Sequence, residues 1–522
     1  MDGPRGSVDL GDSNLGESNA TLAPNTTDIT AKLQEVRIEE DLEHLGDIKQ
    51  QYADLNVTDA EVKTILKKLD WTILPFCTIL YLWSFLDRTN IGNARLVNFD
   101  TATGRGDFER DTNMSGSDFS WATSCFFFSY IICEVPSNLM LKRVSPSKWM
   151  SRIMITWGFF ATMMAATTSF ASVIAVRVLL GAAEAGLFPG LLFYCSFWYR
   201  RRELASRMAL FYSGATLAGA FGSVIAYLIT LMDGVGGLSA WRWIFILEGL
   251  PTIVVGVATW FLLPDFPHTA KFLTKREKAV LVARLKLDDI HSHDRSFNAS
   301  EFWHTVKDVK TWLYCIMYIT IVIPLYTLNY FLPTIVKYLG FASVSAQLMS
   351  APPFAFACGV VILTCFGSDH VGLRYLFMIV PALVGCLGFL LLANVRNAGV
   401  LYFATFIAAA GSYILVPIAI SWLSNNIIGQ TRGATAIGMM IGVGNIGGIV
   451  AGFVYQTSDA PYFFKGHMAN VGFLLISATF ATIIFFFLRA ENQFRNKQGY
   501  PIDDGKGEVI KHEDDKRFRN QL

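Results

Sequence analysis

The stretch Leu86-Asp-Arg-Thr-Asn-Ile-Gly-Asn-Ala-Arg-Leu96 closes an apolar segment that opens near Trp71, and it sets an acid beside a base at Asp87 and Arg88. A second stretch, Arg177-Val-Leu-Leu-Gly-Ala-Ala-Glu-Ala-Gly-Leu-Phe-Pro-Gly190, repeats the pattern with Arg177 and Glu184. Both lie in segments that otherwise read as membrane-spanning helix. A charge at the hydrocarbon centre costs at least ~2.5–3.5 kcal/mol, so these four side chains must face one another or a water-filled cavity, and such residues mark the route of a substrate or ion.

Outward from these stretches the chain is a series of apolar segments, each near the ~20 residues that a helix needs to cross ~30 Å of hydrocarbon. Twelve are legible, at about 71–96, 118–141, 149–169, 172–198, 206–232, 241–263, 310–338, 343–367, 372–392, 399–425, 433–456 and 467–489. They predict an all-α membrane protein with two six-helix halves, 66–263 and 310–489. A polar linker, 264–309, joins the halves, and tails cover 1–65 and 490–522. The composition agrees, with 52% hydrophobic, 14% aromatic and only 16% charged residues in 522.

All eight cysteines fall in apolar segments, which argues for packing and against a disulfide framework or thiolate metal site. Every histidine lies in a tail, a loop or at a helix end, so a histidine proton relay in the membrane is not expected. The first 65 residues are rich in Asp, Glu, Ser, Asn and Gly and read as a disordered tail. In the linker, Thr274 can cap an amphipathic helix from Lys275 to Lys286 whose Val280, Leu281 and Leu285 lie against the bundle or the membrane.

Basic residues orient the chain. Lys142, Arg143, Lys148 and Arg152 follow the second segment, Arg200, Arg201, Arg202 and Arg207 follow the fourth, and the alternate loops are poor in them. Lys and Arg accumulate in cytoplasmic loops, so both termini are expected in the cytosol of a multi-pass protein, with the plasma membrane the expected location. The sequons at Asn19 and Asn25 then face the wrong side for a glycan, and Asn113, in the outward Asn113-Met-Ser115, is the one acceptor in reach.

Within the membrane, Arg177, Gly181 and Glu184 recur along one stripe of the fourth segment. Counting ~1.5 Å per residue, Asp87 and Arg177 reach similar depths in the outer half of the bilayer, which predicts an ion pair between them. Glu184 lies ~10 Å further in and is the better proton site, because a carboxyl group beside an apolar or half-wet cavity gains and loses a proton near neutral pH. Arg88 stays charged and can accept a carboxylate in bidentate fashion, so an anionic substrate is the first expectation. The competing reading is a closed structural network of four charges.

Glu134 and Glu248 are further intramembrane acids, read more readily as structural than as titrating groups. Tyr326, Asn329 and Tyr330 share a helix face that can serve a substrate or a polar packing interface. Gly442, Gly444 and Gly447 match G-x-G-x-x-G, but without strand context they signal close helix approach rather than a dinucleotide site. Asn445 among them can reach a ligand or another helix.

Taken together, Leu86-Asp-Arg-Thr-Asn-Ile-Gly-Asn-Ala94, Phe119-Ser-Trp-Ala122, Glu134-Val-Pro-Ser-Asn138, Arg177-Val-Leu-Leu-Gly-Ala-Ala-Glu184, Trp241-Arg-Trp-Ile-Phe245, Phe331-Leu-Pro-Thr334 and Gly444-Asn-Ile-Gly-Gly448 resemble the anion:cation symporter family of the major facilitator superfamily, in its fungal allantoate permease branch. The resemblance runs from about Asp70 to Arg489. It implies proton-driven import of a small organic anion such as a ureide, vitamin or carboxylate, by alternating access between the halves. It also implies Asp87 and Glu184 as protonation sites with Arg177 as partner of Asp87, and Arg88, Tyr130 and Asn445 as substrate contacts; Asn329 joins these from its helix face. Asp369, Gly372 and Arg374 resemble the family's gating loop between helices 8 and 9.

The loop Lys142-Arg-Val-Ser-Pro-Ser-Lys148 departs from the general superfamily gate motif by lacking its Asp. Segment 5 has no Gly-Pro pair of the kind found in drug/proton antiporters, which favours import. The expected partners are a small anion, protons and the lipid bilayer, with no nucleic acid and no cofactor beyond the proton gradient, in a protein that works as a monomer. Export of a secondary metabolite and nutrient sensing through the tails are the rival functions. No nucleophile-and-base pair, metal cluster or cofactor loop suggests an enzyme. If Asn113 carries a glycan, endoglycosidase treatment sharpens and speeds the wild-type band on a gel and has no effect on Asn113→Gln.

Overall fold

The computed structural model describes residue 50 and residues 55–97, 107–290, 299–427, 430–498 and 520–521. Asn19, Asn25 and most of the two tails lie outside the described residues. What is described is helical, with no strand among the described residues.

The first span, α1 (Asp59–Ala94), begins well before the apolar run because Thr58 caps it, accepting from the Glu61 N–H, and Asp59 and Glu61 sit in its first turn. Acidic side chains there offset the partial positive charge of the helix start. After a short turn, α2 (Phe108–Asp111), come α3 (Asp118–Arg143), α4 (Pro146–Met163), the pair α5 (Phe170–Glu184) and α6 (Leu187–Ser196), α7 (Arg201–Thr230) and α8 (Ala240–Leu262). The linker contributes α9 (Lys275–Ile290) and α10 (Ala299–Lys307). The second half comprises α11 (Val309–Tyr338), α12 (Ser343–Val371), α13 (Arg374–Asn394), α14 (Ala398–Asn426), the pair α15 (Gln430–Gly444) and α16 (Ile446–Val454), and α17 (Phe464–Lys497). Ten spans are long and apolar enough to cross a membrane, the pairs α5/α6 and α15/α16 each counting as one, and α3 and α4 bring the number to twelve.

The fourth span was expected to be continuous, but it breaks immediately after Glu184. Gly186 takes a left-handed φ of 91° there, and a Cβ on it would lie 2.3 Å from Ser137 Oγ. Pro189, which has no N–H to give, stands in the first turn of α6. Glu184 is thus the last residue of a helix that stops inside an apolar span, Phe170–Ser196, long enough to cross a membrane.

Within the halves, α4 packs along α8, α3 along α5, and α13 along both α14 and α17. Small residues allow this. Gly411 on α14 meets Gly385 on α13 so closely that a Cβ would stand 2.3 Å from the Gly385 nitrogen, and a Cβ on Gly388 would stand 2.4 Å from the Ala408 nitrogen. Between the halves, α7 runs beside α12, α3 beside α16, and α1 crosses α11. Several bonds joining the halves gather at the bundle end where α1 and α7 finish. Gln347 Nε2 donates to the Asn93 carbonyl at 3.1 Å, Thr230 Oγ1 to Gln347 Oε1 at 3.2 Å, and Ser124 Oγ to the Ile449 carbonyl at 2.8 Å.

In the linker, Thr274 and Glu277 form a reciprocal cap on α9, with Glu277 N–H on Thr274 Oγ1 at 3.3 Å and Thr274 N–H on Glu277 Oε2 at 2.9 Å. Val280 and Leu281 are buried. Ion pairs bind α9 to the first half. Arg276 grips Glu61 through Nε at 2.8 Å and Nη2 at 3.1 Å, Lys68 meets Glu277, and Arg284 meets Glu203. The Lys68 ammonium and the Thr274 N–H hold the Glu277 carboxyl below the usual carboxylate range.

Backbone contact between α13 and α14 leaves no room for a branched side chain. Gly388→Val is expected to lower stability by at least ~1–3 kcal/mol, read as earlier thermal aggregation in detergent. Gly438→Ala, where a Cβ meets nothing within 4 Å, is expected to be neutral or slightly stabilising in the same assay.

Candidate functional site

Consecutive residues on a helix point about 100° apart, so α1 aims Asp87 and Arg88 at different neighbours. Arg88 points to the middle of the bundle, where its Nη2 forms an ion pair with Glu184 and its Nη1 donates to the Tyr326 hydroxyl at 2.7 Å. Its guanidinium lies 5.0 Å from the ring centre of Tyr130 and 5.2 Å from that of Phe126, both within cation–π range. Glu184 Oε1 also accepts from Ser84 Oγ, one turn before Arg88. Two atoms in this group are buried with no hydrogen-bond partner, Glu184 Oε2 and Arg88 Nε.

Beside Arg88 the helices leave a cavity of about 30 Å³, room for roughly two waters, which Glu184 meets only through its pairing with Arg88. Arg88, Tyr130 and Phe188 face it from the first half, and Tyr318, Tyr326 and Asn445 from the second. Tyr81 and Tyr212 add two more hydroxyl-bearing rings. The cavity therefore combines one cation, several hydroxyl donors and aromatic walls. Asn445, at the junction of α15 and α16, donates through Nδ2 to Glu134 Oε2 at 3.3 Å. Gly444 and Gly448 on either side are needed as glycines, since a Cβ on each would fall 2.3 Å from the rings of Tyr318 and Phe127 respectively.

The expected ion pair of Asp87 with Arg177 is not formed. Asp87 turns to the outer flank of α1, where its Oδ2 accepts from Trp157 Nε1 and Thr252 Oγ1, both at 2.7 Å. Arg177 is 1% exposed and has neither an ion pair nor a hydrogen bond among the described residues. Depth counting failed because it placed helices by level alone and did not foresee that α5 ends at Glu184, alongside Ser84 and Arg88. The acid expected to stand apart from the pair is itself in a pair, with the neighbouring arginine.

Asn329 was expected at the substrate and is turned elsewhere. Its Nδ2 donates to the Leu325 carbonyl at 3.0 Å and its Oδ1 accepts from the Tyr413 hydroxyl, a bond between α11 and α14. Tyr326, one turn earlier, reaches the cavity instead. Asp369, Gly372 and Arg374 do come together between α12 and α13. Arg374 pairs with Asp369 and donates to Ser368 Oγ at 2.7 Å, while Gly372 takes φ 74° and its carbonyl accepts from Gln521 Nε2 at 3.1 Å. Asn113 is exposed. Glu134 was read mainly as structural, yet it borders the cavity through Asn445. Tyr81, Tyr212 and Tyr318 had no sequence signal, since aromatic residues in apolar segments look like packing.

A twelve-span bundle with a charged, aromatic-walled cavity between two halves defines a membrane transporter. The model of the Major Facilitator Superfamily matches residues 78–452, and the chain belongs to that superfamily. It is 36% identical over 459 residues to "MFS transporter prlL" of Fungal sp. (strain NRRL 50135), covering 86% of this chain and 90% of that one. It is 38% identical over 450 residues to "MFS-type transporter cnsO" of Penicillium expansum, covering 84% and 85%. Among solved structures it resembles the xylose transporter XylE from E. coli in a partially occluded inward open conformation. That match has a TM-score of 0.60 and 13% identity, over 80% of this chain and 97% of that one.

Breaking a buried ion pair by removing one partner strands the other charge. Arg88→Met is expected to cost ~3–5 kcal/mol, and adding Glu184→Gln to recover much of that loss. Thermal unfolding of the two single variants and the double variant in detergent measures the coupling.

Proposed function

We propose that the chain is a proton-coupled secondary transporter that imports a small organic anion, of the anion:cation symporter type and in the allantoate permease branch. The observation that carries this reading is the buried Arg88–Glu184 pair, in which Arg88 lines the cavity and Glu184, behind it, keeps one carboxylate oxygen unpartnered. Arg88 is the cavity's cation, and Glu184 occupies it. A proton arriving at Glu184 Oε2 neutralises that carboxylate and weakens its hold, which leaves the guanidinium free to take the carboxylate of an incoming anion in a two-point contact.

Proton and anion are coupled because each displaces the same interaction. Without the proton, the anion must compete with Glu184 for Arg88 and adds a second negative charge to a site of low dielectric. With the proton, one cation meets one anion. The Tyr326 hydroxyl, already on Arg88 at 2.7 Å, together with Tyr130 and Asn445, supplies orientation and aromatic walls. Asp87 and Arg177 are assigned to the coupling as well, and the Asp369–Arg374 loop to gating.

A cavity this small has to widen for a cargo larger than a few atoms, and the bonds of Gln347 and Ser124 between the halves must part when the opposite face opens. Anion and proton drive that exchange only through their difference in affinity for the two states. Import is supported by the absence of a Gly-Pro pair in α7, residues 213–222. The assignment extends to a monomer in the plasma membrane with cytosolic termini.

The test is uptake of labelled allantoate, nicotinate, pantothenate, biotin and short dicarboxylates into transport-deficient yeast, in acidic and near-neutral medium, with and without an uncoupler. Wild-type uptake is expected to be faster in acid and abolished by the uncoupler. Glu184→Gln is expected to bind anion without needing a proton and to lose accumulation against a gradient, and Arg88→Lys to lower uptake at least ~10-fold. Flux indifferent to pH, uncoupler and both substitutions overturns symport.

A further inference from the structure

A second group of acids lies on the side of α1 away from the cavity. Glu248 on α8 is 0% exposed, and neither of its carboxylate oxygens has a hydrogen-bond partner. Two groups of α1 act on it, the like charge of Asp87 and the side-chain amide of Asn90, which faces the carboxyl group without meeting hydrogen-bond geometry. Asn90 is 1% exposed; its Nδ2 points to Asp87 Oδ1 at 3.5 Å, and its Oδ1 is buried without a donor. Asp87, 2% exposed, accepts from Trp157 and Thr252 at the same oxygen.

The charged and titratable surroundings hold no cation for either acid among the described residues. From α1 comes Asp87 itself, while Arg88 is turned to the cavity and to Glu184. The face of α4 offers Trp157, Gly158 and Thr162, which carry no charge; its Lys148 and Arg152 belong to the opposite end. Glu184 on α5 adds a further negative charge that reaches Asp87. On α8, Arg242 is held near the helix start by the Ala165 carbonyl, and the charged residues of α7 are confined to its first turns, 201–207. Gly158 and Gly249 bring α4 and α8 into backbone contact beside Glu248, since a Cβ on Gly249 would stand 2.8 Å from the Thr162 nitrogen.

Two ionised carboxylates here would be two buried charges with no counter-ion, one of them faced by the Asn90 amide alone and without a formed hydrogen bond. A proton on Glu248 removes that charge and creates an O–H donor in a place where Asn90 Oδ1 lacks one. Asp87, which already receives two donors, is the ionised member. We infer that Glu248 and Asp87 form a proton-binding pair holding one proton, resident on Glu248 in this conformation, with a net charge of −1. The site is distinct from Glu184 and needs no particular cargo. Because Asp87 and Arg88 are consecutive on α1, a movement of the helix that repositions Arg88 also moves Asp87 against Trp157, Thr252 and Glu248, which gives the proton a path to respond to the cavity.

The test is infrared difference spectroscopy of the full-length protein in phosphatidylcholine vesicles, without any transport substrate, at neutral pH and with hydrogen–deuterium exchange. A protonated carboxylic acid shows a carbonyl stretch separate from amide and carboxylate bands. The wild type and Glu184→Gln are expected to show this band and Glu248→Gln to lose it, while Asp87→Asn shifts it by removing the neighbouring charge. Glu248→Gln, which keeps the shape of the neutral acid, is expected to unfold within a few degrees of wild type. A spectrum unchanged by both Glu248→Gln and Asp87→Asn overturns the inference. A large fall in the unfolding temperature of Glu248→Gln does so too, because it would mean that an ionised carboxylate was required. No flux is measured, so this result stands or falls separately from symport.

Discussion

A guanidinium inside a helix bundle sets the terms for everything packed around it. Arg88 cannot shed its proton, so the fold must supply it with a counter-charge, donors and acceptors without water in bulk. Glu184, Tyr326 and the faces of Tyr130 and Phe126 do this from three other helices, α5, α11 and α3. Those contacts cross between the halves, because Tyr326 belongs to the second half and the rest to the first. The pair is therefore both an adhesive between halves and, being breakable by one proton, a point at which their relation can change.

The helix break after Glu184 and the one at Asn445 bear on the same requirement. A continuous fourth span would carry the chain past Arg88 with its backbone groups satisfied and its next side chains turned away. Ending α5 at Glu184 places the carboxylate at a helix terminus, and Gly186, pressed against Ser137, makes the turn possible. At α15/α16 the interruption sets Asn445 against Glu134, while the flanking glycines admit the rings of Tyr318 and Phe127. Irregular backbone at membrane depth is tolerable only where it is enclosed by protein or faces a cavity, and both interruptions meet that condition.

Arg177 and Glu248 show how uneven the charge satisfaction is. The bundle gives one buried arginine, Arg88, an ion pair, a hydroxyl acceptor and two aromatic faces, and leaves another, Arg177, 1% exposed, with no ion pair or hydrogen bond among the described residues. It gives one buried acid, Asp87, hydrogen bonds from Trp157 and Thr252, and gives Glu248 neither a formed hydrogen bond nor a cation among the described residues. A fully paired network would hold the helices in one arrangement, and these incompletely paired groups do not.

Much of this protein was legible in one dimension. Twelve apolar runs, the linker with its Thr274 cap, and the few intramembrane charges, with both signs together at Asp87, Arg88, Arg177 and Glu184 in two of those runs and single acids at Glu134 and Glu248, follow from solvation, since hydrocarbon excludes unpaired charge wherever the helices lie. Which charge meets which did not follow. The pairing depended on the rotation of α1, which sends Asp87 to Trp157 and Arg88 to the cavity, and on the stop of α5 at Glu184; both are products of helix packing. Asn329 and Tyr326 are three residues apart on α11, and only the position of α14, with Tyr413 reaching Asn329, decided which of them the cavity receives. Sequence by itself determined the number of spans and the residues that had to be satisfied inside them, because those depend on the cost of leaving water. The tertiary structure alone decided the partners, because a hydrogen bond or ion pair is a matter of ångströms and direction between helices that are far apart in the chain.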